Sequence, residues 1–154
     1  MHIMEVYVKI IFYERGFSKM KKRILALVAA MVMVIGLVAC GAPATVEEYY
    51  TQPAVKSALD SQIESMKGSY AGVYSDLGYE VSGNTFTYWF QFADQIEEVD
   101  AAADQLEASL TDEMMSGIVS DVESECGVTG ITCEYIYYNA DGSVLFQDSY
   151  STAQ

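Results

Sequence analysis

The reactive side chains of this chain are three cysteines and 22 carboxylates, set against eight Lys and Arg and one histidine, His2. Cys126 and Cys133 bound the stretch CGVTGITC, where they could form a disulfide, stay as two buried thiols or ligate a metal. Zinc asks for about four ligands in close pairs such as C-x2-C, and no histidine is at hand, so no metal and no cofactor is expected. Outside the cytoplasm a disulfide between Cys126 and Cys133 is the expectation. Closing a ring of about eight residues, it would add roughly 2.5 kcal/mol. Two buried thiols remain the alternative, favoured where no oxidant is present.

The third cysteine, Cys40, ends a different kind of segment. Lys19, Lys21, Lys22 and Arg23 form a basic cluster, and an apolar run follows from Ile24 to Ala39. That is the plan of a secretory signal, and the run is shorter than the roughly 20 residues that span a bilayer as a helix. Leu37-Val38-Ala39-Cys40 is similar to a bacterial lipobox, in which the cysteine takes a diacylglyceryl group and becomes the mature N-terminus. Two or more acyl chains give stable membrane attachment. The expected organisation is an upstream extension of the reading frame over 1–19, with translation from Met20, a lipoprotein signal peptide over 20–39, a lipidated tether over 40–44 and one domain over 45–154.

Removing residues 1–39 discards six of the eight bases and two of the 22 acids, leaving two bases against 20 acids, net −18. Lys56 and Lys67 are then the only cations, with no arginine or histidine. This argues against nucleic-acid binding, which needs basic groups for phosphates, and against histidine chemistry.

The elements that must position these groups read in order. Thr45 and Glu48 fit a capping box, and Pro53 suits the start of a helix over about 53–67, with Val55, Leu59, Ile63 and Met66 at helical spacing and Gly68 as its stop. The period then changes to two. With Gly83-Asn84 as a two-residue loop, Val81 faces Phe86, Tyr79 faces Tyr88 and Leu77 faces Phe90. Asp94 with Glu97 opens a long helix whose stripe is Ile96, Val99, Ala103, Leu106, Leu110, Met114, Ile118 and Val122. Its acidic side reads as a solvated face, and Gly127 ends it. A second hairpin turns at Asn139-Ala140-Asp141-Gly142. That turn resembles the opening of a calcium loop but lacks the later ligands. Ile131, Cys133, Tyr135, Tyr137 and Leu145 form its expected core face.

The order helix, hairpin, helix, hairpin (αββαββ) predicts an α+β fold: a four-stranded antiparallel sheet with helices packed on one face. Trp89, Ile136, Tyr138, Phe146 and Tyr150 then fall on the opposite, open face as a candidate interaction surface.

The lipobox, the TVEEYY segment, the hairpin VSGNTFTYWF, the long acidic helix and above all GVTGITCEYIYYNADGSVLF resemble small Gram-positive lipoproteins carrying domain of unknown function 4854. The resemblance covers nearly all of the chain after Cys40, with the cysteine pair as its departure. It implies an extracytoplasmic lipoprotein of unassigned activity on the outer face of the cytoplasmic membrane.

The functional expectation is a non-enzymatic binding module, tethered by its lipid, that engages a protein, peptide or wall component and no nucleic acid. A hydrolase of envelope or carbohydrate material using paired carboxylates and a purely structural envelope lipoprotein are the alternatives. No catalytic residue is assigned. The acids cluster on a helix surface, and both lysines sit at solvated helical positions.

Overall fold

The computed structural model describes residues 43–151. The expected extension 1–19, the signal peptide 20–39 and the lipidation site Cys40 lie outside the described residues. Helix α1 spans Val46–Tyr50. The Thr45 hydroxyl accepts the Glu48 N–H at 3.1 Å, while the Glu48 carboxylate reaches back to the Ala44 N–H at 2.7 Å, so two otherwise unsatisfied donors are capped. Helix α2, Pro53–Ser69, starts on the expected proline and buries Val55, Leu59, Ile63 and Met66. It runs through Gly68, expected as its stop, and is capped at Tyr70 instead.

Strands β1, Tyr74–Ser82, and β2, Thr85–Phe92, pair antiparallel in the expected register, with Val81 opposite Phe86, Tyr79 opposite Tyr88 and Leu77 opposite Phe90. Gly83 alone in the loop has positive φ, +56°, which is the type II′ requirement. The loop also docks α1. The Glu47 N–H donates to the Gly83 carbonyl at 2.9 Å, and the Gly83 N–H returns to the Glu47 carboxylate at 2.7 Å.

The expected long helix is two helices, α3 over Val99–Ser109 and α4 over Asp112–Cys126. The chain breaks at Leu110, ψ 64°, because Thr111 caps a new helix by accepting the Met114 N–H. Thr-Asp-Glu is a strong start signal, and inside an apolar stripe it is easily read through. The break alters the stripe only in part, since Leu106, Leu110, Ile118 and Val122 are buried as expected. Met115 is fully buried where Met114 was expected, and Val99 stands 40 % exposed. Residues before Val99 are not helical, so Asp94 with Glu97 does not open the helix. Gly127 ends α4 at φ 71° as expected.

Strands β3, Thr132–Tyr138, and β4, Val144–Ser151, form the second hairpin. The sheet order is β1-β2-β3-β4, and β2 pairs with β3 in parallel. The all-antiparallel expectation is therefore corrected to a mixed sheet. The α3–α4 connection carries the chain back past the length of the sheet, so β3 enters beside the start of β2, with Thr132 opposite Thr85, as in any crossover between parallel strands. Along β2, Phe86, Tyr88, Phe90 and Phe92 are buried, while Thr85, Thr87, Trp89 and Gln91 are half-buried. This alternation marks a two-layer α+β domain with its core between sheet and helices.

Candidate functional site

The face of the sheet away from the core is centred on Trp89. Its register neighbours are Gly78 on β1 and Ile136 on β3. Tyr138 lies on the next row of that face, between Gln91 on β2 and Val144 on β4. Val144, 54 % exposed, extends the apolar line. The pairing sets Trp89 diagonal to Tyr138 across the parallel β2–β3 pair. A Cβ built on Gly78 would come within 2.6 Å of the indole Cζ2, 2.8 Å of Cε2 and 3.0 Å of Nε1. The missing side chain at 78 is what lets the indole lie down on β1.

Polar side chains border this line. Glu134 accepts the Thr87 hydroxyl at 2.9 Å on one oxygen and the Gln147 amide at 2.8 Å on the other. Gln91 Nε2 donates to the Ala140 carbonyl at 3.2 Å, tying the face to the β3–β4 turn.

Two of the expected face residues are elsewhere. Tyr138 pairs with Val144 but Tyr137 with Phe146, so the strand bulges at Leu145 and everything after it changes sides. Phe146 and Tyr150 thus align with Tyr137 and Cys133 on the core face. The Tyr150 hydroxyl donates to the Leu110 carbonyl at 2.9 Å, closing the end of α3. The sequence signal for the flip was that, after Leu145, the even positions Phe146 and Tyr150 are apolar while the odd positions Gln147, Ser149 and Ser151 are polar. Leu145 is buried as expected.

Cys126 and Cys133 are both free and buried, 3 % and 0 % exposed. The expected disulfide is not formed. Burial, and then the neighbouring Cys126, pushes the Cys133 thiol up to about 12, and burial raises Cys126 as well. A protonated thiol is a poor nucleophile for exchange. The connection between α4 and β3 is made by Glu123, which sequence reasoning missed. Its Oε1 accepts the Gly130 N–H at 2.7 Å and the Ile131 N–H at 3.4 Å.

The neighbouring Glu125 is pushed up to about 7 by burial, against the opposing pull of the Tyr49 hydroxyl, which donates to it at 3.4 Å. Burial first, then Glu125, raises Tyr49 to about 12. No second carboxylate is among the causes of the Glu125 shift. A groove of about 320 Å³ between α2 and β1 is lined by Tyr50, Lys56, Asp60 and Tyr79, among others. Its polar centre is closed on itself, with Asp60 accepting Lys56 Nζ and the Tyr79 hydroxyl, each at 2.7 Å. Lys67 pairs with Asp76 at 2.8 Å. Among the described residues no group of three His, Cys, Asp or Glu is placed to hold a metal ion, and no helix is long and apolar enough to cross a membrane.

The Asn139-Ala140-Asp141-Gly142 turn does more than reverse the chain. Asn139, 1 % exposed, accepts the Ile96 N–H at 2.8 Å and donates to the Ile96 carbonyl at 2.9 Å. It thereby holds the segment leading into α3 against the hairpin.

No curated protein and no solved structure matches this chain. A family model matches residues 46–150, from the first residue of α1 almost to the end of β4, and on that match the chain belongs to the family described as Domain of unknown function (DUF4854).

Proposed function

We propose that this protein is a lipid-tethered, extracytoplasmic binding module that does no chemistry of its own and engages its partner through the open face of the sheet. The observation that carries the reading is the diagonal of Trp89, Ile136, Tyr138 and Val144 on the side of the sheet away from the core. Half-exposed aromatics grouped in this way mark interaction surfaces. The tether rests on the basic-then-apolar segment ending Leu37-Val38-Ala39-Cys40. Its acyl chains would hold the domain at the membrane through a linker of a few residues.

The test separates the two parts. Expressed in a Gram-positive host fed alkyne-palmitate, the full chain takes up label and sediments with membranes, whereas Cys40→Ala stays unlabelled. Equal labelling of both would remove the tether. For the face, Trp89→Ala with Tyr138→Ala should keep the wild-type circular dichroism spectrum but lose partner capture from envelope material. Unchanged capture would remove the binding surface.

A further inference from the structure

We propose that the open face binds an arginine-bearing segment of a partner protein, with the guanidinium stacked on Trp89 between Glu80 and Glu134. This names the partner chemistry of the surface proposed above and rests on that reading. The pairing puts Glu80 on β1, Thr87 on β2 and Glu134 on β3 in one row of the face, and Gly78, Trp89 and Ile136 in the next. Neighbouring strands lie about 4.8 Å apart, so the two carboxylates start roughly 10 Å apart at the backbone, one to each side of the strand that carries the indole. The half-buried indole reaches over Gly78, two residues along β1 from Glu80. Aromatic ring and carboxylates therefore converge on one place.

Charge fixes the sign of the partner. Glu80 is exposed, and no described cation pairs with it. Lys56 and Lys67 are the only bases among the described residues. Lys56 lines the groove that Glu80 borders but is bonded to Asp60 at 2.7 Å, and Lys67 is bonded to Asp76 at 2.8 Å. Glu134 accepts from the Thr87 hydroxyl and the Gln147 amide. Both donors are neutral, so they hold the carboxylate in place without cancelling its charge, and each oxygen keeps a second lone pair. Residues 40–154 add a net −18, a field that draws in a cationic partner and repels an anionic one. A second copy of this chain is opposed by the same field. Arginine suits the place because its guanidinium is planar and weakly hydrated, stacks on aromatic rings and donates from its edge to carboxylates. Ile136, Tyr138 and Val144 continue the apolar line beyond Trp89. A polypeptide brings side chains to cover them, where a lone cation leaves them in water.

The chain contains one tryptophan, so its emission reports on position 89 alone. The capped peptide Arg-Leu-Arg-Leu-Arg, with its lysine and its uncharged citrulline counterparts, is titrated into the full-length protein in micelles of a non-ionic detergent. The expected result with the arginine peptide is a saturable change in emission with reduced acrylamide quenching, weakened by added salt. By calorimetry Glu80→Gln and Trp89→Ala, each with an unchanged circular dichroism spectrum, should lose about fivefold or more in affinity. Glu113→Gln removes the same charge from an exposed position on α4 and should bind as wild type does. Neither heat nor emission change with the arginine peptide overturns the proposal, as do equal losses in Glu80→Gln and Glu113→Gln, which would assign the binding to the field of the whole molecule. Equally tight binding of the lysine peptide overturns the choice of arginine. Equally tight binding of the citrulline peptide, with the dependence on Trp89 kept, overturns the cationic class and leaves the face as the surface. Arginine-peptide binding that is undiminished in both Trp89→Ala and Glu80→Gln overturns class and face together.

Discussion

Asn139 shows how much one side chain holds here. It is the one buried polar residue of the described chain, and it makes three side-chain hydrogen bonds, two to Ile96 and one to the Ala140 N–H. Replacing it with alanine leaves the Ile96 N–H and carbonyl without these partners in a part-buried site, and an unsatisfied buried group costs about 1–3 kcal/mol. Asn139→Ala should therefore lower unfolding stability by roughly 2–3 kcal/mol, read as a fall in the urea midpoint at unchanged slope. Asp141→Ala at the exposed tip should cost much less. Equal effects would mean that the motif is only a turn. The sequence marked these residues through turn chemistry, which explains Asp141 and Gly142. It gave no sign that Asn139 faces inward, because its partner Ile96 is 43 positions away.

At the scale of elements, α1 is held from two sides. Its start is bound to the Gly83-Asn84 loop, and Tyr49 reaches α4 through Glu125. Glu125 is raised from 4.5 to about 7, so the folded protein keeps a proton that the unfolded chain gives up. Below pH 4.5 both states hold the proton and the burial of Glu125 carries no charge penalty. Stability is then lost as pH rises from about 4.5 to 7, and the loss is complete above 7. The unscreened shift would correspond to about 3 kcal/mol. Discounted for a half-exposed group, about 1–2 kcal/mol is expected. The carboxylates of Asp60 and Asp76, held low first by hydrogen bonds from Lys56 and Lys67, act in the opposite sense and only at lower pH. Melting temperatures of wild type and Glu125→Gln across pH 4.5–7.5 decide the matter, since the variant should lack the decline. Parallel curves would show that the fold does not desolvate Glu125.

For the whole molecule, charge dominates. Residues 40–154 carry net −18, and the two lysines are spent in exposed pairs, Lys56 with Asp60 and Lys67 with Asp76, which contribute little. Self-repulsion of the compact state should therefore outweigh its attractions. Going from about 0.01 M to 0.15 M salt shortens the screening length from ~30 to ~8 Å. The melting temperature should rise by several degrees, the equivalent of about 1 kcal/mol for a domain this size. A fall on adding salt would mean that the ion pairs matter more than the repulsion. What the sequence determined by itself is whatever depends on neighbours along the chain: the capped α1, the Pro53 start of α2, the Gly83 hairpin with its register, the Gly127 stop and the excess of acid. Local conformational preference and period suffice for these. Only the tertiary structure decided the parallel pairing of β2 with β3, the bulge that sends Phe146 and Tyr150 inward, the free state of Cys126 and Cys133, and the seat of Trp89 on Gly78. Each depends on which strand or helix lies alongside. That is a balance of burial over the whole core, which residues near one another in sequence do not encode.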